Sequence, residues 1–226
     1  MKSKLIVALD VDTYKEAKKL VDELYPSVKI FKVGSQLFTG CGAKIVEYIR
    51  KKRAEVFLDL KYHDIPNTVA SAVSQATRMK VFMLTVHAQG GAEMLKAAKD
   101  AAEEVSKAMR LRRPLIVAVT VLTSMKFDNV FGRVMDLAFD AKSSGLDGVV
   151  SSVEEAGAIR ERFKDFVIVT PGIRPLGSEA SDQKRVATPK AALEAGSSFL
   201  VVGRPIVSAK SPKSAAKQIL KEMELS

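Results

Sequence analysis

Eight short apolar runs rich in β-branched residues recur along this chain, with amphipathic segments between them. Runs that are hydrophobic throughout are typical of strands buried on both faces, as in a parallel sheet. Dividing 226 residues among eight units gives about 28 residues for each strand and helix, which fits a (β/α)8 barrel. The predicted strands span residues 4–10, 28–34, 55–61, 81–88, 114–122, 147–152, 166–173 and 199–205.

We predict a single α/β domain, a (β/α)8 TIM barrel over residues 1–226, because no linker or low-complexity tract interrupts the pattern. A doubly wound open sheet is the alternative, but it usually has a glycine-rich first turn, and the segment Leu-Asp-Val-Asp-Thr (9–13) after the first strand contains no glycine. The connection 174–188 is polar, contains proline and glycine, and lacks periodicity. Loops of this length are usually functional, so we predict a mobile lid at about 174–188.

The composition excludes several classes of protein. Hydrophobic residues make up 47% of the chain and charged residues 27%, which excludes disorder as the main state. One cysteine, Cys41, cannot form an intrachain disulfide, and two histidines supply too few ligands for a Cys/His zinc site. The apolar runs are too short for a membrane span or for a signal-peptide core. We therefore expect a cytoplasmic protein without a membrane partner.

The net charge of +10 suits an anionic substrate or nucleic acid. The densest basic runs, 50–53 and 110–114, end predicted helices just before strands, where cations stabilise the helix C-terminus. That position puts them on the barrel face opposite the usual active site, so we expect no nucleic-acid partner. A non-enzymatic binding protein is a further alternative, but it does not explain the charges at the strand ends.

Charged residues cluster at the C-terminal ends of the first three predicted strands, where (β/α)8 enzymes carry their active sites. Asp10 ends the first strand, Lys32 lies near the end of the second, and Asp59 and Lys61 end the third. Residues two apart on a strand share a face, so Asp59 and Lys61 point the same way. Ion pairing alone rarely repays the desolvation of four charges, and a lysine beside a carboxylate is suited to general acid catalysis. We predict a catalytic site rather than a purely structural cluster.

Residues 59–68, Asp-Leu-Lys-Tyr-His-Asp-Ile-Pro-Asn-Thr, are the most informative stretch of the chain. They resemble the signature Asp-x-Lys-x-x-Asp-Ile-Pro-Asn-Thr of the orotidine 5′-monophosphate decarboxylase family at all ten positions. Further segments resemble that family in order and spacing, so the resemblance covers essentially the whole chain. These segments are VALD (7–10), KVG (32–34), LTS (122–124), PGIRP (171–175) and VGRPI (202–206).

The resemblance implies a homodimeric (β/α)8 enzyme without metal or cofactor. Its implied reaction is the decarboxylation of orotidine 5′-monophosphate to uridine 5′-monophosphate, the last step of de novo pyrimidine nucleotide synthesis. The resemblance assigns Lys61 as the proton donor to ring carbon 6 and places Asp59 between Lys61 and the substrate carboxylate. Lys32 and Asp10 are implied to flank these two residues near the ribose.

The resemblance also implies that the two subunits share their active sites. Asp64, counted with the catalytic residues, is implied to reach into the partner's site together with Ile65 and Thr68. Thr123 or Ser124 is implied to face the pyrimidine ring, and the sequence leaves open which of the two makes the contact.

A phosphate site is indicated after the seventh and eighth strands, where TIM barrels commonly bind phosphate. Glycine allows backbone N–H groups to approach phosphate oxygens, and arginine offers a bidentate donor. By resemblance, Arg204 and the amide of Gly203 hold the phosphate, and Arg174 approaches it at the start of the lid. Gln183, within the lid, is implied to bridge phosphate and base.

A metal-dependent sugar-phosphate decarboxylase or aldolase on the same scaffold is the alternative enzyme. Such enzymes resemble this chain in Asp-x-Lys-x-x-Asp but use a glutamate of the second strand as a magnesium ligand. Lys32 stands in the second strand here, and a lysine cannot bind magnesium. The continuation Ile-Pro-Asn-Thr also resembles the decarboxylase pattern, so we expect neither metal nor cofactor.

Overall fold

The computed structural model describes residues 4–122, 128–175 and 187–224. Within them, eight parallel strands close into a barrel in chain order, which confirms the predicted (β/α)8 fold and excludes the open sheet. Each strand after the first is preceded by helical structure that returns the chain to the start of the barrel. The strands are β1 (Leu5–Ala8), β2 (Ile30–Gly34), β3 (Glu55–Tyr62), β4 (Met83–His87), β5 (Leu115–Val119), β6 (Gly148–Val150), β7 (Val167–Thr170) and β8 (Phe199–Val202).

Several helices begin or end at residues with recognisable capping chemistry. Thr13 caps the first helix in a capping box with Glu16, and Gly145 and Gly196 follow two later helices with the positive φ that glycine adopts at little cost. The helices are α1 (Tyr14–Leu24), α2 (Ser35–Cys41), α3 (Lys44–Lys51), α4 (Pro66–Arg78), α5 (Gly91–Met109), α6 (Val130–Ser143), α7 (Val153–Arg162), α8 (Pro189–Glu194), α9 (Arg204–Val207) and α10 (Pro212–Glu224). None of the helices in the described ranges is long and apolar enough to cross a membrane.

Two hydrophobic clusters divide the interior. The larger one lies between the strands and the surrounding helices and includes Leu5 and Val7 of β1. The smaller one fills the barrel and includes Ile6 and Ala8, so that successive residues of β1 alternate between the two clusters. The other buried members of the inner cluster are Ile30, Phe57, Phe82, Met83, Val117, Val169 and Val201. The barrel interior is thus a packed core up to the level of these side chains.

Most of the observed strands are shorter than their predicted ranges. β1 ends at Ala8, so Asp10 follows the strand rather than ending it. β3 is irregular near its end: Leu58 pairs with Leu84, but Tyr62 pairs with Val86, so four steps along β3 match two along β4. The predicted lid falls mostly in 176–186, outside the described residues, and its mobility stays a prediction.

Candidate active site

On the barrel strands, the charged residues occupy the next inward-facing position after the apolar residues that fill the barrel. Ile30 and Phe57 belong to the inner apolar cluster, and the residues two positions later are Lys32 and Asp59. Since strand side chains alternate with a period of two, those rows reach the C-terminal mouth as charged groups. Asp10 stands two residues beyond the inward-facing Ala8. The sequence therefore places an apolar floor under a polar mouth.

Four side chains at this mouth form one continuous chain of opposite charges. Lys32 Nζ lies 3.1 Å from Asp10 Oδ1 and 3.4 Å from Asp59 Oδ2. Lys61 Nζ lies 3.0 Å from the same oxygen of Asp59. The side chain of Asp59 is only 12% exposed, whereas that of Lys61 is 38% exposed. The predicted convergence of these four residues is thus observed, with Lys61 at the open end of the chain.

Mutual attraction keeps the buried members of this chain ionised. Burial alone raises the pKa of the Asp59 carboxyl, but the charges of Lys32 and Lys61 outweigh it, and the net pKa is lowered. Burial likewise lowers the pKa of Lys32, but Asp59 and Asp10 outweigh it, and the net pKa is raised. Asp59 therefore stays charged down to below its ordinary pKa, and Lys32 stays charged up to above its own.

Two glycines leave room for this arrangement. A Cβ atom at Gly34 would lie 3.0 Å from Lys32 Nζ, and one at Gly203 would lie 3.3 Å from Asp10 Oδ2. Both distances are tighter than ordinary van der Waals contact. Any larger residue at either position would thus push on the charged chain.

Lys61 has a left-handed backbone, with φ of 52°, which is uncommon for a residue with a side chain. It lies in the stretch of β3 where the register with β4 shifts. Its backbone N–H donates to Thr85 Oγ1 at 2.8 Å, instead of to the usual carbonyl oxygen of a neighbouring strand. Side chains two apart on a regular strand share a face, but here the bulge decides where Lys61 points.

A cavity of about 260 Å³ opens above the charged chain. Its lining joins the charges of the first three strands to the glycines and arginines that follow β7 and β8. Gly172 there has φ of 78°, a conformation that favours glycine. The predicted site residues that line it are Asp10, Lys32, Asp59, Lys61, Arg174, Gly203 and Arg204. One cavity thus holds both a lysine–aspartate charge array and a candidate anion site.

The β6 side of the cavity carries polar residues that sequence reasoning missed. Ser151 and Ser152 line the cavity, and Ser152 caps α7. The Ser152 hydroxyl donates to the Glu155 carboxylate, and Ser151 Oγ lies 3.3 Å from the same oxygen. Glu155 is buried. The spacing Ser-x-x-Glu at a helix start was the sequence signal that could have identified this group.

Three predicted residues lie outside the cavity. Asp64, Ile65 and Thr68 are exposed at the start of α4, and Ile65 is 67% exposed despite being apolar. Asp64 Oδ1 accepts a hydrogen bond from the backbone N–H of Ile65 at 2.7 Å. Their exposure leaves them available to another molecule, whereas they do not line the cavity of their own chain. Thr123, Ser124 and Gln183 lie outside the described residues.

The cation that stands between the carboxylates of Asp10 and Asp59 is the ammonium of Lys32. A divalent metal at this position would have to displace it, and an ammonium repels such an ion. Within 4–122, 128–175 and 187–224, no group of three or more His, Cys, Asp or Glu side chains is arranged to hold a metal.

The fold and this mouth define a (β/α)8 barrel with a Lys/Asp array and a candidate anion site at its C-terminal end. A family model described as orotidine 5′-phosphate decarboxylase / HUMPS family matches residues 3–219. The chain belongs to this family.

Individual relatives agree over nearly the full length. The chain is 47% identical to orotidine 5′-phosphate decarboxylase of Moorella thermoacetica, covering 99% of this chain and 93% of the relative. It is 46% identical to the enzyme of that name from Pseudomonas aeruginosa, covering 98% and 97%. The crystal structure of orotidine 5′-phosphate decarboxylase from Lactobacillus acidophilus matches with a TM-score of 0.86 at 39% identity, covering 97% and 98%. The resemblance inferred from residues 59–68 is thereby confirmed.

Proposed function

We propose that this chain is a carboxy-lyase that converts orotidine 5′-monophosphate to uridine 5′-monophosphate and carbon dioxide, using Lys61 as the proton donor and no metal. The observation that carries the proposal is the chain of ion pairs from Asp10 through Lys32 and Asp59 to Lys61 at the cavity floor. The relatives that match nearly the whole chain bear the name of this activity.

The chemistry requires a positive charge at one ring carbon. When the bond between carbon 6 and the carboxylate breaks, its electron pair stays on carbon 6 and carbon dioxide leaves. That carbanion has little resonance stabilisation, so a fixed ammonium next to it lowers the barrier directly. The Lys61 ammonium, at the open end of the charged chain, then gives its proton to carbon 6 and is reprotonated by solvent.

Asp59 has two roles in this proposal. Its Oδ2 holds the ammonium of Lys61 at 3.0 Å and so fixes the donor. Because its pKa is lowered, it also stays negative beside the substrate carboxylate, and repulsion between the two raises the free energy of the bound substrate. Departure of carbon dioxide relieves that repulsion. Lys32 keeps Asp59 ionised from the other side.

The phosphate binds, in this proposal, at the far wall of the same cavity, where Gly203, Arg204 and Arg174 lie. A guanidinium binds phosphate through two parallel hydrogen bonds, and an amide at a glycine approaches it closely. Phosphate is remote from carbon 6, so its binding energy serves to orient the ring over Lys61 rather than to react. The segment 174–188 would close over the bound nucleotide as a lid.

The remaining proposals concern assembly. Asp64, Ile65 and Thr68 complete the site of a second subunit in a homodimer, which accounts for their exposure and for the apolar Ile65. We further propose that residues 1–226 act as one barrel domain. A cytoplasmic location stays a prediction of the sequence.

An ultraviolet assay of orotidine 5′-monophosphate loss tests the function. We expect steady loss of substrate absorbance with the purified chain, at the same rate with and without a metal chelator. Orotidine without its phosphate should react far more slowly, because it lacks the binding energy of the phosphate. Activity that disappears with chelator and returns with magnesium would instead support the sugar-phosphate class.

A further inference from the structure

We infer that Thr85 is a positioning residue for the reaction, because its hydroxyl ties the backbone of Lys61 to the carboxylate of Asp59. The inference rests on the proposed function. Thr85 lies in the middle of β4, is fully buried, and is not among the residues that line the cavity. It therefore acts through its neighbours rather than on substrate.

Two hydrogen bonds meet at this hydroxyl. Thr85 Oγ1 accepts from the backbone N–H of Lys61 at 2.8 Å and donates to Asp59 Oδ1 at 3.1 Å. A carboxylate accepts hydrogen bonds only, so the single hydroxyl hydrogen must point at Asp59, which leaves a lone pair for the N–H. The direction of both bonds is thus determined, and a hydroxyl is the smallest group that makes them together.

The two oxygens of Asp59 are held by different partners. Oδ1 accepts from Thr85, while Oδ2 faces the ammonium groups of Lys61 and Lys32 at 3.0 and 3.4 Å. The Thr85 bond therefore sets the rotation of the carboxylate and decides which oxygen meets the ammonium groups. Without it, the carboxylate plane is free to turn between the two lysines.

The same hydroxyl supports the unusual backbone of Lys61. A left-handed conformation is unfavourable for a residue with a Cβ atom, so the surroundings must stabilise it. The register shift between β3 and β4 removes Lys61 from the regular ladder, and Thr85 satisfies its N–H instead. Thr85 thus holds Lys61 at two points. It binds the backbone N–H of Lys61 directly, and it holds the ammonium group through the carboxylate of Asp59.

The test compares substitutions that keep or remove the hydroxyl. Thr85→Val preserves shape and should lower kcat about 100-fold, the scale of a 1 Å misplacement of a catalytic group. The affinity for uridine 5′-monophosphate should change less than about threefold, since the phosphate contacts are untouched. Thr85→Ser keeps the hydroxyl and should restore kcat to within about threefold of wild type.

Thr77→Val is the matched control. Thr77 is also fully buried, and its hydroxyl donates to the carbonyl of Val73 in α4 at 2.8 Å, away from the charged chain. Thr77→Val should therefore leave kcat unchanged. If Thr85→Val fails to fold, Thr85→Ala removes the hydroxyl without burying a new methyl group and should show the same split between kcat and affinity.

A crystal structure of Thr85→Val or Thr85→Ala separates this inference from the proposed function. We expect Lys61 to leave the left-handed region or the Asp59 carboxylate to rotate, whether or not the wild type decarboxylates the nucleotide. An unchanged Lys61 and Asp59 together with kcat within threefold of wild type would overturn the inference. Failure of the wild type to decarboxylate, with the expected rearrangement in the variant, would overturn the proposed function alone.

Discussion

The two ends of the barrel both carry ion pairs, but they are built differently. At the N-terminal end, Arg113 and Asp147 form a closed pair, with Nη1–Oδ2 at 2.9 Å and Nη2–Oδ1 at 2.5 Å. The same Asp147 also accepts from the backbone N–H of Ile116, which anchors the start of β5. At the C-terminal end, one oxygen of Asp59 is shared by two lysines.

The difference indicates what each end is for. A bidentate arginine–carboxylate pair satisfies both groups and has a specific geometry, so it suits a structural role. Lysine is a compact point charge on a flexible stem, and Lys61 lines an open cavity. The following variants test whether the C-terminal end serves chemistry and the N-terminal end serves stability.

Lys61→Ala should produce the largest loss. General acid catalysis contributes about 10²–10⁴-fold and electrostatic stabilisation about 10²–10³-fold, so turnover should fall by roughly 10⁴-fold or more. Substrate affinity should fall far less, because the phosphate contacts remain. Lys190→Ala, an exposed lysine in α8, is the control and should retain full turnover. A Lys61→Ala turnover within tenfold of wild type would remove Lys61 from the reaction.

Mixing two inactive variants tests the proposed shared site. Lys61→Ala homodimers should be nearly inactive and Asp64→Ala homodimers strongly impaired. After subunit exchange, about half of the dimers are heterodimers, each with one intact site, so about a quarter of wild-type activity should return.

The exchange must first be verified by native mass spectrometry. If heterodimers form and no activity above that of the Asp64→Ala homodimer returns, Asp64 acts in the site of its own chain. The proposed sharing of sites would then be wrong, while the role of Lys61 would stand.

Arg204→Ala should produce a smaller and more selective loss. A charge-assisted hydrogen bond contributes about 1.5–3 kcal/mol, so uridine 5′-monophosphate should bind about 10- to 100-fold more weakly. Uridine, which has no phosphate, should bind almost unchanged. Arg112→Ala, at the opposite end of the barrel, tests whether loss of net charge alone has this effect. Calorimetric titration measures the affinity of each variant for both ligands. Equal losses of affinity for uridine 5′-monophosphate and for uridine would exclude Arg204 from the phosphate site.

Arg113→Ala should change stability and leave the chemistry nearly unchanged. It removes a half-buried partner from Asp147 and should lower the free energy of unfolding by about 1–3 kcal/mol. The exposed pair of Lys190 and Glu194 is the comparison, and Lys190→Ala should cost at most about 0.5 kcal/mol. Urea unfolding measures the free energy of unfolding of both variants. A loss of turnover in folded Arg113→Ala would erase the proposed distinction between the two ends.

The fold was predictable because burial determines it at every strand. Parallel strands covered on both faces must be apolar throughout, and eight such runs have few other arrangements. The convergence of Asp10, Lys32 and Asp59 was predictable for the same reason, since each stands two residues beyond an apolar inward-facing position. Lys61 was expected beside them from its spacing to Asp59, but the bulge in β3 decides where its side chain points. The structure confirmed the barrel and brought these four side chains together.

Local backbone geometry was not predictable to the same depth. The sequence around Lys61 does not predict its left-handed backbone, because that conformation depends on the register shift between β3 and β4. Thr85 lies in an apolar strand where threonine is ordinary, so its role appears only once Asp59 and Lys61 are placed around it. Glu155 differs, because the spacing Ser-x-x-Glu at the start of α7 is visible in the sequence, and the structure adds that both serine hydroxyls lie beside its carboxylate.

The central claim is that an ammonium group at position 61 carries the reaction, and restoring that group chemically tests it most directly. The background is Cys41→Ser, which removes the only native cysteine and must first be shown to be active. In this background, Lys61→Cys is treated with 2-bromoethylamine, so that the thiolate displaces bromide and carries an aminoethyl group. Turnover should rise about 100-fold or more above untreated Lys61→Cys, since a positioned acid contributes at least that much. Iodoacetamide, which adds a neutral amide, should restore nothing, and equal turnover after the two reagents would contradict the account.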